Sequence, residues 1–103
     1  MTRNGKLVRD RIPETIRGRD DRCEGRVVGD ADYAERLYEK LAEELVEYQR
    51  EGAVEELADL VEVVQVIAEA RGISWDALEE IRHTKRAERG SFRHRLLLVE
   101  VQG

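Results

Sequence analysis

The segment LAEELVEYQREGAVEELADLVEVV, Leu41 to Val64, decides the fold, because two runs of good helix formers stand on either side of one break at Gly52. Apolar residues recur in both runs at spacings of three and four, the mark of amphipathic helices. Two such helices joined at a glycine predict an antiparallel hairpin. The first arm is expected to start at Asp32, a candidate N-cap with Glu35 three residues on, and to run to about Arg50; the second runs to about Arg71.

Around the first arm, at about 100° per residue, Leu37, Leu41, Leu45 and Tyr48 form one stripe. Glu44 falls on its edge, Glu47 and Lys40 just beyond, and Glu43 points well away. On the second arm Ala53, Leu57, Leu60, Val61, Val64, Ile67 and Ala68 make a broad apolar arc. Glu55, Glu62 and Glu69 line the opposite side and read as solvent carboxylates, whereas Glu56 and Asp59 lie on the flank of the arc beside Val63, where a neighbouring helix is expected to pack.

Folding the hairpin about Gly52 sets these acids at matching heights. Glu47 lies five residues before the glycine and Glu56 four after it; Glu44 lies eight before and Asp59 seven after, on helices rising about 1.5 Å per residue. Four carboxylates brought together in a partly dry site repel one another and lose solvation, so cations are expected among them. Hard divalent ions with oxygen ligands, Mg²⁺ above all, suit that donor set. The plainer alternative is that each acid pairs with Lys40 or with an arginine at a helix edge.

Outward from the hairpin, KLVRD (Lys6 to Asp10) reads as a short extended lead-in, with a helix opening at Pro13, whose fixed φ suits a first turn. Residues Arg17 to Asp30 hold three glycines and mixed charge and read as a loop. Beyond Gly72, Ser74 can cap a third long helix reaching Gly90, and RLLLVEV (Arg95 to Val101) is a short β candidate or a docked tail. The expected fold is all-α: one domain over residues 1–103, a helical bundle built on the hairpin, with short extended terminal segments.

Composition narrows the setting. A chain of 103 residues can bury a core yet gains from pairing with a copy of itself, so homo-oligomerisation, as a dimer or higher, is expected. Cys23 is the one cysteine and can form no internal disulfide, and no stretch suits a signal sequence or membrane span, which points to a cytoplasmic protein. The net charge of −5 conceals a segregation: residues 1–26 carry eight basic side chains against five acids, residues 27–81 four against sixteen, and residues 82–103 six against two. An acidic centre is flanked by basic ends.

The ordered motifs EELVE (Glu43 to Glu47), EELAD (Glu55 to Asp59), KLVRDRIP (Lys6 to Pro13) and KRAERGSF (Lys85 to Phe92) resemble those of the MazG-like, all-α nucleotide pyrophosphohydrolases, in particular their small single-domain branch. The resemblance spans nearly the whole chain. Ser91 departs from it, standing where a second glycine is expected. What the resemblance implies is cleavage of a nucleoside triphosphate between its α and β phosphates, dependent on Mg²⁺ (Mn²⁺ as a substitute) held by Glu44, Glu47, Glu56 and Asp59, which also serve as the catalytic carboxylates.

With such a substrate the basic ends acquire a use. Trp75 and Leu78 begin a face of the third helix that continues at the same angle into Arg82, Arg86 and Arg89, with Lys85 alongside. These cations, with Lys6 and Arg9, are candidate phosphate ligands, because arginine makes forked contacts with phosphate oxygens; pairing with surface acids is the competing use. Net negative charge, few aromatics and the adjacent acids argue against a nucleic-acid partner. Cys23 has no nearby histidine to activate it, His83 and His94 lack metal-ligand spacing, and Trp75 suits a core anchor better than a base-stacking surface. A non-catalytic helical module, or a regulator responding to divalent ions, remains the alternative function.

Overall fold

Gly52 adopts φ 70°, ψ 16°, the left-handed conformation that a residue without Cβ takes readily, and its N–H closes on the Tyr48 carbonyl at 2.7 Å. That turn ends one helix and starts the next. In the computed structural model, which describes residues 5–19 and 22–103, the order is α1 (Ile12–Gly18), α2 (Asp30–Glu51), α3 (Val54–Ala70) and α4 (Trp75–Arg89). Helices α2 and α3 pack along one another as the expected hairpin, and α4 touches α3 more sparingly. The protein is an all-helical bundle built on that hairpin. No helix among the described residues is long and apolar enough to cross a membrane.

Local chemistry sets most boundaries. Pro13 lies in the first turn of α1, and the Ser74 hydroxyl accepts the Ala77 N–H at 3.1 Å to cap α4. Helix α2 begins two residues before Asp32, after Gly29; Asp32 therefore sits inside the helix and accepts a hydrogen bond from Arg36 at 3.2 Å, an i,i+4 pair, instead of acting as the cap. Arg17 and Gly18 belong to α1, not to the loop; residues 22–29 have no regular structure, and residues 20 and 21 of that stretch lie outside the described residues.

The C-terminal run corrects an expectation. Residues 95–103 form no strand and are not buried against any described helix: Leu96, Leu97, Leu98, Val99 and Val101 are all exposed, as is Phe92. Leu96 to Val99 is continuously apolar, which suits a strand covered on both faces, and the described residues offer no sheet edge to receive one.

The hairpin is also rotated relative to its own apolar arc. Leu37, Val63 and Ala68 are the buried apolar residues, and Val63 lies on the flank that carries Glu56 and Asp59. Leu57, Val61 and Val64, which belong to the arc, stay exposed, as does Leu45 on α2. The arms thus close through the edge that holds the acids.

Candidate functional site

That rotation places carboxylates in the helix contact. Glu44 is 6% exposed and Glu56 7%, within the range of the apolar core residues. Glu44 Oε2 and both carboxylate oxygens of Glu56 lack a hydrogen-bond partner, although a buried acceptor ordinarily finds one. Burial, then the neighbouring carboxylates Glu51 and Glu47, push the Glu56 carboxyl above the usual glutamate range. Glu51 is the last residue of α2 and reaches Glu56 across the Gly52 turn, a neighbour that the helical wheel, which treats each arm alone, does not reveal. Glu55, Glu62 and Glu69 are exposed, as their spacing predicts, but Glu62 also borders the cleft described next and does not lie apart from the site.

Glu44 and Asp59 line a second part of the arrangement, a cleft of about 440 Å³ between the hairpin and the N-terminal segment. Arg9, Lys40, Glu62 and the apolar Leu37 and Val63 share it. Lys40 Nζ stands 3.3 Å from Glu44 Oε1 and 3.5 Å from Glu43 Oε1. Arg9 Nη2 donates to Asp59 Oδ1 at 2.6 Å, which holds the guanidinium still more firmly protonated, with the charges of Asp59, Glu62 and Glu44 adding to the effect. Lys6 Nζ lies 3.5 Å from Glu43 Oε1, so Glu43 faces the N-terminal segment, contrary to its wheel position.

The four predicted ligands fall into two pairs. Glu47 and Glu56 interact electrostatically, and Glu44 and Asp59 share the cleft and both act on Arg9. Among the described residues no cation stands within ion-pair distance of Glu47 or Glu56, and no group of three or more His, Cys, Asp or Glu is arranged to hold a metal ion. The donor chemistry nevertheless suits a hard cation: all the atoms are carboxylate oxygens, and three buried ones have no donor.

The basic residues of α4 lie elsewhere. Residues 80–90 are all exposed, so the face that continues from Trp75 and Leu78 is solvent-facing once the arginines begin. Arg82 forks onto Glu79 through Nε at 2.9 Å and Nη2 at 2.8 Å, which draws the Glu79 carboxyl below its usual range. Arg86 and Arg89 border a separate cavity of about 600 Å³ with residues 90–96, and Lys85 is exposed on the same helix. None of its lining residues borders the acidic cleft. Within that turn the positive φ falls on Gly90, at 82°, not on Ser91, so the departure at Ser91 demands nothing unusual of the backbone.

Comparison with protein-family models, with curated proteins and with solved structures finds no match to this chain.

Proposed function

We propose that the protein is a Mg²⁺-dependent, MazG-like nucleoside triphosphate pyrophosphohydrolase, releasing a monophosphate and pyrophosphate, in a cytoplasmic house-cleaning role against noncanonical or surplus nucleotides. The observation that carries this is the burial of Glu44 and Glu56 with oxygens that no donor satisfies. A buried carboxylate without a partner is costly to the fold, and a cation supplies what the polypeptide omits. The ordered EELVE and EELAD motifs supply the rest of the ligand set, Glu47 and Asp59.

Bound there, Mg²⁺ would neutralise phosphate charge and lower the pKa of a water. The chain's own residues do the remainder. One of the four carboxylates orients the attacking water, and Arg9 borders the cleft from the N-terminal side, where phosphate oxygens would meet it, with Lys6 nearby on Glu43. Arg82, Lys85, Arg86 and Arg89 provide further positive charge on α4. A second copy covering Leu57, Val61 and Val64, spaced four and three residues apart on α3, would give a homodimer or larger assembly.

A second reading has one observation in its favour. Lys40 and Arg9 already neutralise Glu44 and Asp59 without a metal, as a non-catalytic helical module requires. Incubation with a panel of nucleoside triphosphates and Mg²⁺, followed by pyrophosphate detection, separates the two. Pyrophosphate from at least one triphosphate, lost in Glu56→Gln, supports the enzyme; none across the panel supports the module.

A further inference from the structure

Residues 5–11 lie as a strap along the acidic side of the hairpin. Arg36 Nη1 donates to the Gly5 carbonyl at 2.8 Å at one end, and the Ile12 N–H donates to the Arg9 carbonyl at 3.0 Å where the strap becomes α1. Half-buried Leu7 lines the cleft between those anchors. Arg9 thus sits on a backbone anchored at both ends, and its long side chain, 58% exposed, places the guanidinium 2.6 Å from Asp59 Oδ1.

Of the three basic residues lining the cleft, Arg9, Arg11 and Lys40, the two paired with its acids differ in their freedom. Lys40 is 19% exposed, rises from the middle of α2 and divides its ammonium between Glu43 and Glu44 of its own helix. Arg9 is mostly solvated, comes from outside the hairpin and reaches a carboxylate 50 residues away in sequence. Breaking its contact needs only side-chain rotation, and water at once solvates the released fork.

We propose that Arg9 is an exchangeable counter-ion: it occupies Asp59 while the carboxylates hold no divalent ion, and it transfers to the polyphosphate when the metal arrives. The proposal rests on Asp59 being a metal ligand, as in the function proposed above. A guanidinium on Asp59 Oδ1 competes with a divalent ion for the same oxygen lone pairs and repels it. Phosphate oxygens offer the displaced fork the same bidentate geometry as a carboxylate. Arg9 thereby guards the empty site against stray cations and couples metal loading to polyphosphate capture.

The test is calorimetric titration of the nucleotide-free full chain with Mg²⁺, and then with inorganic tripolyphosphate in saturating Mg²⁺, on wild type, Arg9→Gln and Arg9→Lys. Loss of the competing cation should tighten Mg²⁺ binding by about fivefold in Arg9→Gln, the upper range for an exposed ion pair, and weaken tripolyphosphate binding by at least as much. Arg9→Lys should fall between, keeping the charge but losing the fork. In wild type, the ¹⁵N signals of the Arg9 guanidinium should shift on Mg²⁺ addition and shift again with tripolyphosphate, a readout that needs no variant. Unchanged or weaker Mg²⁺ binding by Arg9→Gln, with static guanidinium signals, overturns the exchange while leaving the metal site standing. Absence of Mg²⁺ binding by every variant overturns the exchange together with the metal reading, and the pyrophosphate assay reports on the latter independently.

Discussion

Replacing Glu56 by glutamine removes a charge from the place where the fold tolerates it least. The side chain is 7% exposed, neither oxygen makes a well-formed hydrogen bond, although the Ala53 N–H partly offsets the burial, and Glu51 and Glu47 stand close by. Because burial and those neighbours raise its folded pKa above the unfolded value, ionised Glu56 is a liability at neutral pH. Stability linked to this group is fully present below the unfolded value of about 4.5 and is lost as pH rises through the folded one. In chelator at pH 7, Glu56→Gln should therefore melt above wild type, and the gap should close as pH falls to about 4. Mg²⁺ should reverse the order. At a hundredfold excess over its dissociation constant, an ion bound only by the folded chain adds about 2.7 kcal/mol, roughly 10–20 °C in melting temperature for a domain of this size. Wild type should show that increment and Glu56→Gln only a small part of it, with Glu55→Gln behaving as wild type throughout. Circular dichroism melts in EDTA and in Mg²⁺ across pH 4–8 measure all of this. A Glu56→Gln chain that melts lower than wild type in chelator and gains the same increment from Mg²⁺ would refute the reasoning and make Glu56 a structural acid.

Three further outcomes are expected. Gly52→Ala should cost about 1–2 kcal/mol, read by urea denaturation, because its φ of 70° is left-handed while a Cβ there meets no atom within 4 Å; Gly29→Ala, at φ −77° and in equally open space, should be close to neutral. Leu37→Ala, at a position 5% exposed, should lose about 2–4 kcal/mol at any protein concentration, whereas the loss from Leu45→Ala, at 47%, should be smaller in dilute chain and grow with concentration if a second copy covers that face, as sedimentation would show. Replacing Arg86 and Arg89 together by glutamine should weaken nucleotide binding more than Mg²⁺ binding in isothermal titration; unchanged nucleotide affinity would return both to the solvated surface.

What the sequence discloses here is what local periodicity can carry. The helix break at Gly52, the cap at Ser74 and the outward Glu55 and Glu69 each depend on residues within a turn or two of one another, and all stand as expected, whereas Glu62, exposed as expected, also borders the cleft beside Asp59. The burial of Glu44 and Glu56 was legible as a flank position on each arm. The rotation that puts this flank at the contact and leaves Leu57, Val61 and Val64 outside was not, because a wheel drawn for one helix does not fix its roll against another. Arg9 on Asp59 is a contact across 50 residues with no spacing rule behind it; charge segregation between the ends and the centre was the one available sign. For α4 the wheel gave the right angular relation, but a shared angle does not bring a partner, and its second half finds none in the hairpin.

The uncovered C-terminal run bears on how the chain behaves in bulk. Leu96 to Val99 is β-prone, apolar and fully presented to water, the composition that stacks into cross-β when it extends over about six residues. It does not extend that far: Arg95 bounds it on one side and Glu100 on the other, with Arg93 close by. Those charges act as gatekeepers, setting like against like whenever identical segments try to align in register. Three side chains that contribute nothing to the interior thus oppose self-association of this one segment.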